Sequence, residues 1–291
     1  MDLSVVIATT EARTSIDDCL DRLRQSCAPL AAELIVVDAS TDDTAARASA
    51  FGPPVSVVTL PPGTLTPMLW AEGYRRSRGR IVAFTTGHCL ASPRWAEAIT
   101  AALGAGAAGA GGPLVIASGT RAIDWAIYYL RYSAFTPEAM GSGRIAGEIA
   151  GDNAAYRRDV LDRYADTFRN GFWELDVHRR LRADGGWLTA APDAWMAFGR
   201  SFPARVILAH RYAHGRQFGA ERVAGGAKRR WQILLSAPLV PLVLWARALA
   251  RTARSGREPW RFALATPWFL LLASSWALGE AAGAARGGRR Q

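Results

Sequence analysis

Arg80 to Trp95 reads RIVAFTTGHCLASPRW, and the fold turns on this stretch. Ile81-Val82-Ala83-Phe84 is a short, partly β-branched apolar run, the pattern of a buried strand. The run breaks into Thr85-Thr86-Gly87-His88-Cys89. Ser92-Pro93 then starts a helix that carries Trp95, Ala98 and Ile99. In an open α/β sheet, ligands gather where strands end. A glycine and a histidine at such an end point to a site, although a tight turn with an incidental histidine satisfies the same letters.

Three more runs of this kind precede it. Leu3 to Ala8 (LSVVIA), Glu33 to Asp38 (ELIVVD) and Val55 to Leu60 read as strands. Helical segments separate them. Ser15 is a plausible N-cap for a helix with Ile16, Cys19, Leu20 and Leu23 on one face. Ala39-Ser40-Thr41-Asp42-Asp43-Thr44 turns into the next helix, and Thr66 to Ser77 forms another. Alternating β and α elements with short connections predict an α/β fold. Its central sheet is expected to be mostly parallel, Rossmann-like and flanked by helices.

With 291 residues, half of them hydrophobic, the chain can build one α/β domain plus an appendage. Cys19, Cys27 and Cys89 are few, odd in number and not in a CxxC pair, which points to a reducing compartment. The opening MDLSVVIA has no basic region and runs straight into a strand, unlike a signal peptide. The net charge of +10 is uneven: from Lys228 onward, 11 basic residues face two acids, so +9 lies in the last 64 residues. These basic residues flank long apolar runs, which favours an anionic membrane over nucleic acid as the partner.

Asp38 ends its strand. A carboxylate there can accept hydrogen bonds from a nucleobase edge or a ribose hydroxyl, or can simply form an Asx turn. Asp42 and Asp43 read as helix-capping acids. Residues 104–113, GAGAAGAGGP, contain GxGxxG-like fragments but follow a helix rather than a strand, so a dinucleotide fingerprint is not expected. Ile123 to Tyr132, with Trp125, Tyr128, Tyr129 and Tyr132, is an aromatic helix suited to a core or to the border of an acceptor site.

LSVVIATTE, ELIVVDASTDDT and GRIVAFTTGHCLASPRW, in this order and spacing, resemble the nucleotide-binding half of family-2 glycosyltransferases with the GT-A fold. Members usually read SVVIPTYN, VVDNGSTDGT and FLDADxxPxPGW. The resemblance runs from about Leu3 to Val223. It implies a GT-A domain over residues 1–225, leaving 226–291 as a membrane-associated helical tail. It also implies that Ala8, Thr9, Glu11 and Asp38 line the nucleoside pocket. The family's metal-binding Asp-x-Asp is Thr86-Gly87-His88 here, so both aspartates are lost and His88 stands in the second place. His88 could ligate a divalent cation, Mg²⁺ or Mn²⁺, although hard cations prefer oxygen. It could instead hydrogen-bond the diphosphate directly, or be structural.

Gly147 to Arg158, GEIAGDNAAYRR, resembles the family's GxNxAFRR segment. Asp152 and Asn153 are thereby implied at the sugar or acceptor; a glycine-rich turn before a helix is the plain alternative. Gly171 to Leu181, GFWELDVHRRL, resembles the GxEDxDLxxRL motif. Counting back from Arg180-Leu181, Glu174 takes the place of the catalytic Asp and Asp176 the second acidic place, while Trp173 replaces the preceding Glu. Inverting transfer needs a carboxylate to take the proton of the acceptor hydroxyl, and Glu174 can do so. Without the resemblance, Glu174 and Asp176 read first as helix N-terminal acids that serve the dipole and Arg179 or Arg180. His210 to Arg222, HRYAHGRQFGAER, resembles the RYxxGRxxA segment of membrane-associated members. It implies diphosphate binding by Arg211 and Arg216, against the alternative of an exposed basic helix.

Trp231 to Ala246 and Phe262 to Leu278 are apolar runs of 16 and 17 residues. Each falls short of the roughly 20 that span a bilayer, and Pro238, Pro241 and Pro267 interrupt them. A hairpin would put the five arginines of Arg247–Arg261 on the far side, against the positive-inside tendency. Interfacial or re-entrant helices with arginines on headgroups are favoured over a short kinked hairpin, and two buried core helices are the third choice. The expectation is an inverting glycosyltransferase at the cytoplasmic face of the cell membrane. It would move a sugar from a nucleotide-diphosphate sugar to a hydroxyl of a lipid, lipid-linked or polysaccharide acceptor. Loss of the Asp-x-Asp motivates the alternative, a non-catalytic membrane-bound relative that binds a sugar nucleotide or a partner protein.

Overall fold

The structure is a computed structural model, and it describes residues 1–117, 121–199, 203–226, 229–256 and 258–286. The four apolar runs form strands Leu3–Thr9 (β1), Ala32–Asp38 (β2), Val55–Thr59 (β3) and Ile81–Thr86 (β4). They pair in parallel in the order β3-β2-β1-β4. Ile16–Cys27 (α1), Thr44–Ser49 (α2) and Thr66–Arg76 (α3) make the crossovers. β1, β2 and β4 are buried almost throughout, because helices cover a parallel sheet and leave little room for alternation. α1 buries Ile16, Cys19, Leu20 and Leu23, the face that the spacing predicts.

Past β4 the chain forms Cys89–Ala91 (β5), Trp95–Gly104 (α4), Gly109–Gly111 (β6) and Leu114–Ile116 (β7). Ser92-Pro93 form the turn into α4 rather than its first residues, with the Ser92 carbonyl accepting the Trp95 N–H at 3.1 Å. Next come Ala122–Tyr132 (α5), Pro137–Met140 (α6), Gly143–Ile145 (β8), Ala154–Arg157 (β9), Arg158–Arg163 (α7), Glu174–Ala183 (α8), Leu188–Ala190 (β10) and Met196–Phe198 (β11). The main sheet reads β3-β2-β1-β4-β9-β6-β10-β8, with β9 antiparallel to β4 and β6. β5, β11 and β7 make a second, three-stranded sheet.

Aromatic side chains fill the core between β4, α3 and the segment before α8. Phe84 stacks on Phe172 at 4.1 Å, and Trp70 meets both edge-on at 6.1 and 6.2 Å. Tyr156 of β9 closes the group, 6.2 Å from Phe84. Each such side chain contributes about 1.5–3 kcal/mol by leaving water. Together they fix the end of β4 against the start of α8.

The chain divides into two compact units: an α/β unit of Met1–Ala117 with Phe135–Arg200, and a helical unit of Ser118–Ala134 with Ser201–Gln291. The break expected after residue 225 therefore falls elsewhere. Ala204–Ala224 (α9) and α5 join the C-terminal helices Arg230–Ser236 (α10), Val240–Ser255 (α11) and Pro259–Arg286 (α12). The physical reason is a glycine seam. A Cβ on Gly215 would lie 2.2 Å from the Trp276 carbonyl oxygen, and one on Gly219 2.2 Å from that of Glu280. Gly279 and Gly283 of α12 face α9 in the same way. Small residues four apart let two helix backbones touch. Arg222 of α9 also forms an ion pair with Glu280. The aromatic helix α5 belongs to this unit's core, with Tyr129 edge-on to Phe262 at 5.0 Å.

The first apolar tail run is broken: α10 and α11 meet at 65°, with Pro238 in the break and no N–H there to continue the ladder. The second run lies within the continuous 28-residue α12, which passes through Pro267. Among the described residues, α12 is the one unbroken helix long and apolar enough to cross a membrane. Its Leu264, Leu271 and Leu278, one face at heptad spacing, are 63%, 47% and 65% exposed. Of the basic tail, Lys228, Arg257, Arg289 and Arg290 lie outside the described residues.

Candidate active site

The register of β1 sets Thr9 beside Asp38 and Ala8 beside Thr86, so the carboxyl ends of β1, β2 and β4 finish together. The loops that follow are laced to one another. Asp38 Oδ1 accepts the hydroxyls of Thr9 and Ser40, each at 2.6 Å, and Oδ2 accepts the Ser40 N–H at 3.3 Å. The last contact is the Asx turn. Glu11, at φ 52°, donates its N–H to Ser40 and accepts the N–H and hydroxyl of Thr41 at 2.7 and 2.8 Å. Ala12 N–H reaches Thr44 Oγ1 at 2.9 Å. Asp42 accepts the Thr44 N–H at 3.0 Å in an Asx-type turn, while Asp43, which occupies the N-cap position of α2, makes no side-chain cap bond. Ala8, Thr9, Glu11 and Asp38 thus lie at one edge, with the Oδ2 side of Asp38 the less engaged.

Gly87 allows a close approach, since a Cβ there would sit 2.6 Å from the Thr9 methyl and would push that side chain aside. Its N–H donates to Ala8 O, and its carbonyl accepts the Ser15 hydroxyl at 2.8 Å. Ser15 occupies the N-cap position of α1 but makes no side-chain cap bond; its hydroxyl ties α1 to the β4 turn instead. This turn aims His88, half-buried, toward Thr86 and edge-on to Phe198 at 5.4 Å. The Thr86 hydroxyl is a hub, 3.1 Å from His88 Nε2, 3.3 Å from Cys89 Sγ and 3.2 Å from Asp152 Oδ1. His88, Cys89 and Asp152 each offer a ligand atom, and these lie within 4.8 Å of one another. A divalent cation fits this group as one nitrogen, one sulfur and one oxygen donor, not as the carboxylate pair of the family motif.

Asp152 arrives on a 3₁₀ turn, Gly151–Asn153, that leads into β9. Gly151 explains how Glu174 reaches the same place. A Cβ on Gly151 would be 2.9 Å from the Trp70 ring and 3.3 Å from the Glu174 carboxyl carbon. Trp70 is itself held by its indole N–H, which donates to Thr85 O at 2.7 Å. The half-buried Glu174 carboxyl thus lies over the residue that precedes Asp152, at the first turn of α8.

The other expected residues have the following surroundings. Asn153 is fully buried, and its amide is spent on scaffold: Oδ1 accepts the Trp95 indole N–H at 2.8 Å, and Nδ2 donates to Ala194 O at 2.8 Å. These bonds brace the turn under Asp152. Asp176 accepts from Arg179 at 3.0 Å in an exposed pair. Trp173 is half-buried, and its indole N–H donates to Asn170 O at 3.2 Å. Arg211 and Arg216 belong to the helical unit. Arg211 is half-buried there, 5.9 Å from the Trp276 ring, and burial together with the Arg131 charge lowers its pKa to about 9. Arg216 is exposed.

A polar chain that no spacing announces is centred on the buried Tyr156 and His178 and ends on the half-buried Glu148 and Arg182. Tyr156 OH lies 2.6 Å from His178 Nε2, His178 Nδ1 meets Glu148, and Arg182 donates to Glu148 at 2.8 Å. Burial pushes the Tyr156 phenol well up, and the nearby Glu174 and Glu148 charges add to this. Burial lowers His178 against the pull of Glu148. Burial alone would raise Glu148, but hydrogen bonds from His178 and Arg182 outweigh it and hold the carboxyl at about 2.

The family model of glycosyl transferase family 2 matches residues 4–165. Residues 1–349 of S. aureus TarS, in a crystal structure with UDP-GlcNAc, share 11% identity with this chain at a TM-score of 0.56, over 95% of this chain and 91% of that one. Another crystal structure of the same TarS residues gives 14% identity and a TM-score of 0.53 over the same shares. The mannosyltransferase PcManGT from Pyrobaculum calidifontis, in complex with GDP-Man and Mn²⁺, gives 19% identity and 0.49 over 97% of this chain and 73% of that one. At these identities the likeness is one of fold. No curated protein matches.

Proposed function

The chain belongs to glycosyl transferase family 2 and is a glycosyltransferase. On that premise, we propose that it is an inverting enzyme acting at the cytoplasmic face of a membrane. It transfers a sugar from a nucleoside-diphosphate sugar to a hydroxyl of a lipid, lipid-linked or polysaccharide acceptor. The observation that carries this reading is the Glu174 carboxyl held over Gly151, next to the residue that joins the His88–Cys89 cluster.

Glu174 takes the proton of the acceptor hydroxyl as that oxygen attacks the anomeric carbon. The bond from that carbon to the diphosphate breaks, its electron pair leaves on the phosphate oxygen, and the configuration inverts. Asp38 Oδ2 and the laced loops hold the nucleoside, and His88 and Asp152 border the diphosphate. A divalent cation, when bound by His88, Cys89 and Asp152, supplies charge neutralisation at the leaving phosphates. Trp173, one residue before the base, flanks the acceptor. Membrane association is supported by the exposed leucine face of α12 and by exposed Trp231, Leu235, Leu239 and Leu242 on and between α10 and α11.

Glu174→Gln keeps the hydrogen-bonding shape and removes the base. Transfer is expected to fall about 10²–10⁴-fold, with nucleotide affinity unchanged by calorimetry. Product NMR with the wild type should show the inverted anomer. Full turnover by the variant, or a retained anomer, removes Glu174 from this role.

A further inference from the structure

The family resemblance calls for a hard ion held by carboxylate oxygens, yet the donors gathered at the end of β4 are of three kinds. His88 nitrogen, Cys89 sulfur and Asp152 oxygen come within 4.8 Å of one another around the Thr86 hydroxyl. Cys89 is 0% exposed, Thr86 4% and Asp152 5%, whereas His88 is half-buried. The cluster is therefore closed on most sides and open past the histidine. Bonds to zinc run about 2.0–2.3 Å, so the three donors need only draw together modestly to share one ion. With the thiol deprotonated, Cys89 and Asp152 carry two negative charges, which match a divalent ion. Thiolate and imidazole favour borderline ions such as Zn²⁺ and Co²⁺. Mg²⁺ demands a near-octahedral oxygen shell that this set lacks.

We propose that His88, Cys89 and Asp152 form a thiolate-containing site for one borderline transition ion, with an open coordination position and poor occupancy by Mg²⁺. Assigning the open position to the donor diphosphate rests on the glycosyltransferase reading above; the ion site itself does not. On binding, the Cys89 Sγ–H bond breaks, the sulfur electron pair forms the bond to the ion, and the proton passes to solvent. Without an ion, the same groups are satisfied around Thr86, whose hydroxyl can donate to Asp152 and accept from the other two.

The test is an optical titration of metal-stripped full-length protein with Co²⁺. The expected result is a near-ultraviolet sulfur-to-cobalt charge-transfer band that Zn²⁺ removes and excess Mg²⁺ does not. Cys89→Ser should lose the band. His88→Ala and Asp152→Asn should weaken Co²⁺ binding by roughly tenfold or more, since even outer partners act on that scale. Because Cys89 is buried, wild-type protein also gives a readout that needs no variant: about one proton released per ion in weak buffer. Co²⁺ binding without the band and without proton release overturns the proposal, as does equal displacement by Mg²⁺. Calorimetry with UDP and GDP runs in parallel. Nucleotide binding without the sulfur band removes the ion site and leaves the enzyme reading standing. The band without any nucleotide binding does the reverse.

Discussion

His178 lies fully buried between Tyr156 and Glu148, and one tautomer serves both: Nδ1–H donates to the carboxylate while Nε2 accepts the phenol proton. Its neutral form is the one the interior favours, so its pKa lies below the ordinary 6.5. Native protein then binds fewer protons there than unfolded chain, and stability falls as pH drops below 6.5. Glu148, held at about 2 against an ordinary 4.5, adds a second loss between those values as its carboxylate is protonated. Thermal midpoints measured from neutral pH downward should decline in two stages, and Glu148→Gln should shrink the lower one, to which the lowered carboxyls of Glu72 and Asp159 also contribute. A wild-type midpoint that stays flat from pH 6.5 to 4.5 would contradict the neutral, buried histidine. At this scale, local chemistry was legible and remote chemistry was not. The Asp42 turn could be read because its partner, Thr44, lies two residues away. Asn153 could not be read as scaffold, because Trp95 and Ala194 are distant in sequence. Cys89 stands next to His88, but the donor role proposed for it depends on Asp152, far along the chain.

Among the elements, β1 to β4 and their helices follow from apolar runs and breaks. β5, β6 and β11 are three residues each, too short for periodicity, and exist because partners complete them, whereas β7 falls on the short apolar run that starts at Leu114. The glycines of α9 and α12 are regularly spaced in the sequence, yet their meaning appears only when the two helices face each other. Gly219→Leu would drive a side chain into the Glu280 backbone. It should destabilise the helical unit by about 1–3 kcal/mol, read as a lower unfolding midpoint in detergent. Gly104→Ala in α4, where a Cβ would meet nothing within 4 Å, is the control and should leave the midpoint level or raise it. Equal midpoints for Gly219→Leu and the wild type would mean that the two backbones do not touch.

For the molecule as a whole, the α/β class was legible from the apolar runs of β1, β2 and β4, and each of these runs ends in polar letters that must face a ligand or a turn. The division into units was not legible. α9 carries a mixed surface and α5 lies in the middle of the chain, so neither announces that it belongs with the apolar tail. The central claim is that the joined ends of β1, β2 and β4 hold a nucleoside diphosphate. Calorimetric titration of the wild type with UDP, GDP and dTDP tests it most directly, alongside Asp38→Asn. The account predicts that one of the three binds, and that Asp38→Asn weakens it by roughly tenfold or more, as loss of a charged hydrogen bond would. Absence of binding by all three, or equal affinity in the variant, would contradict it.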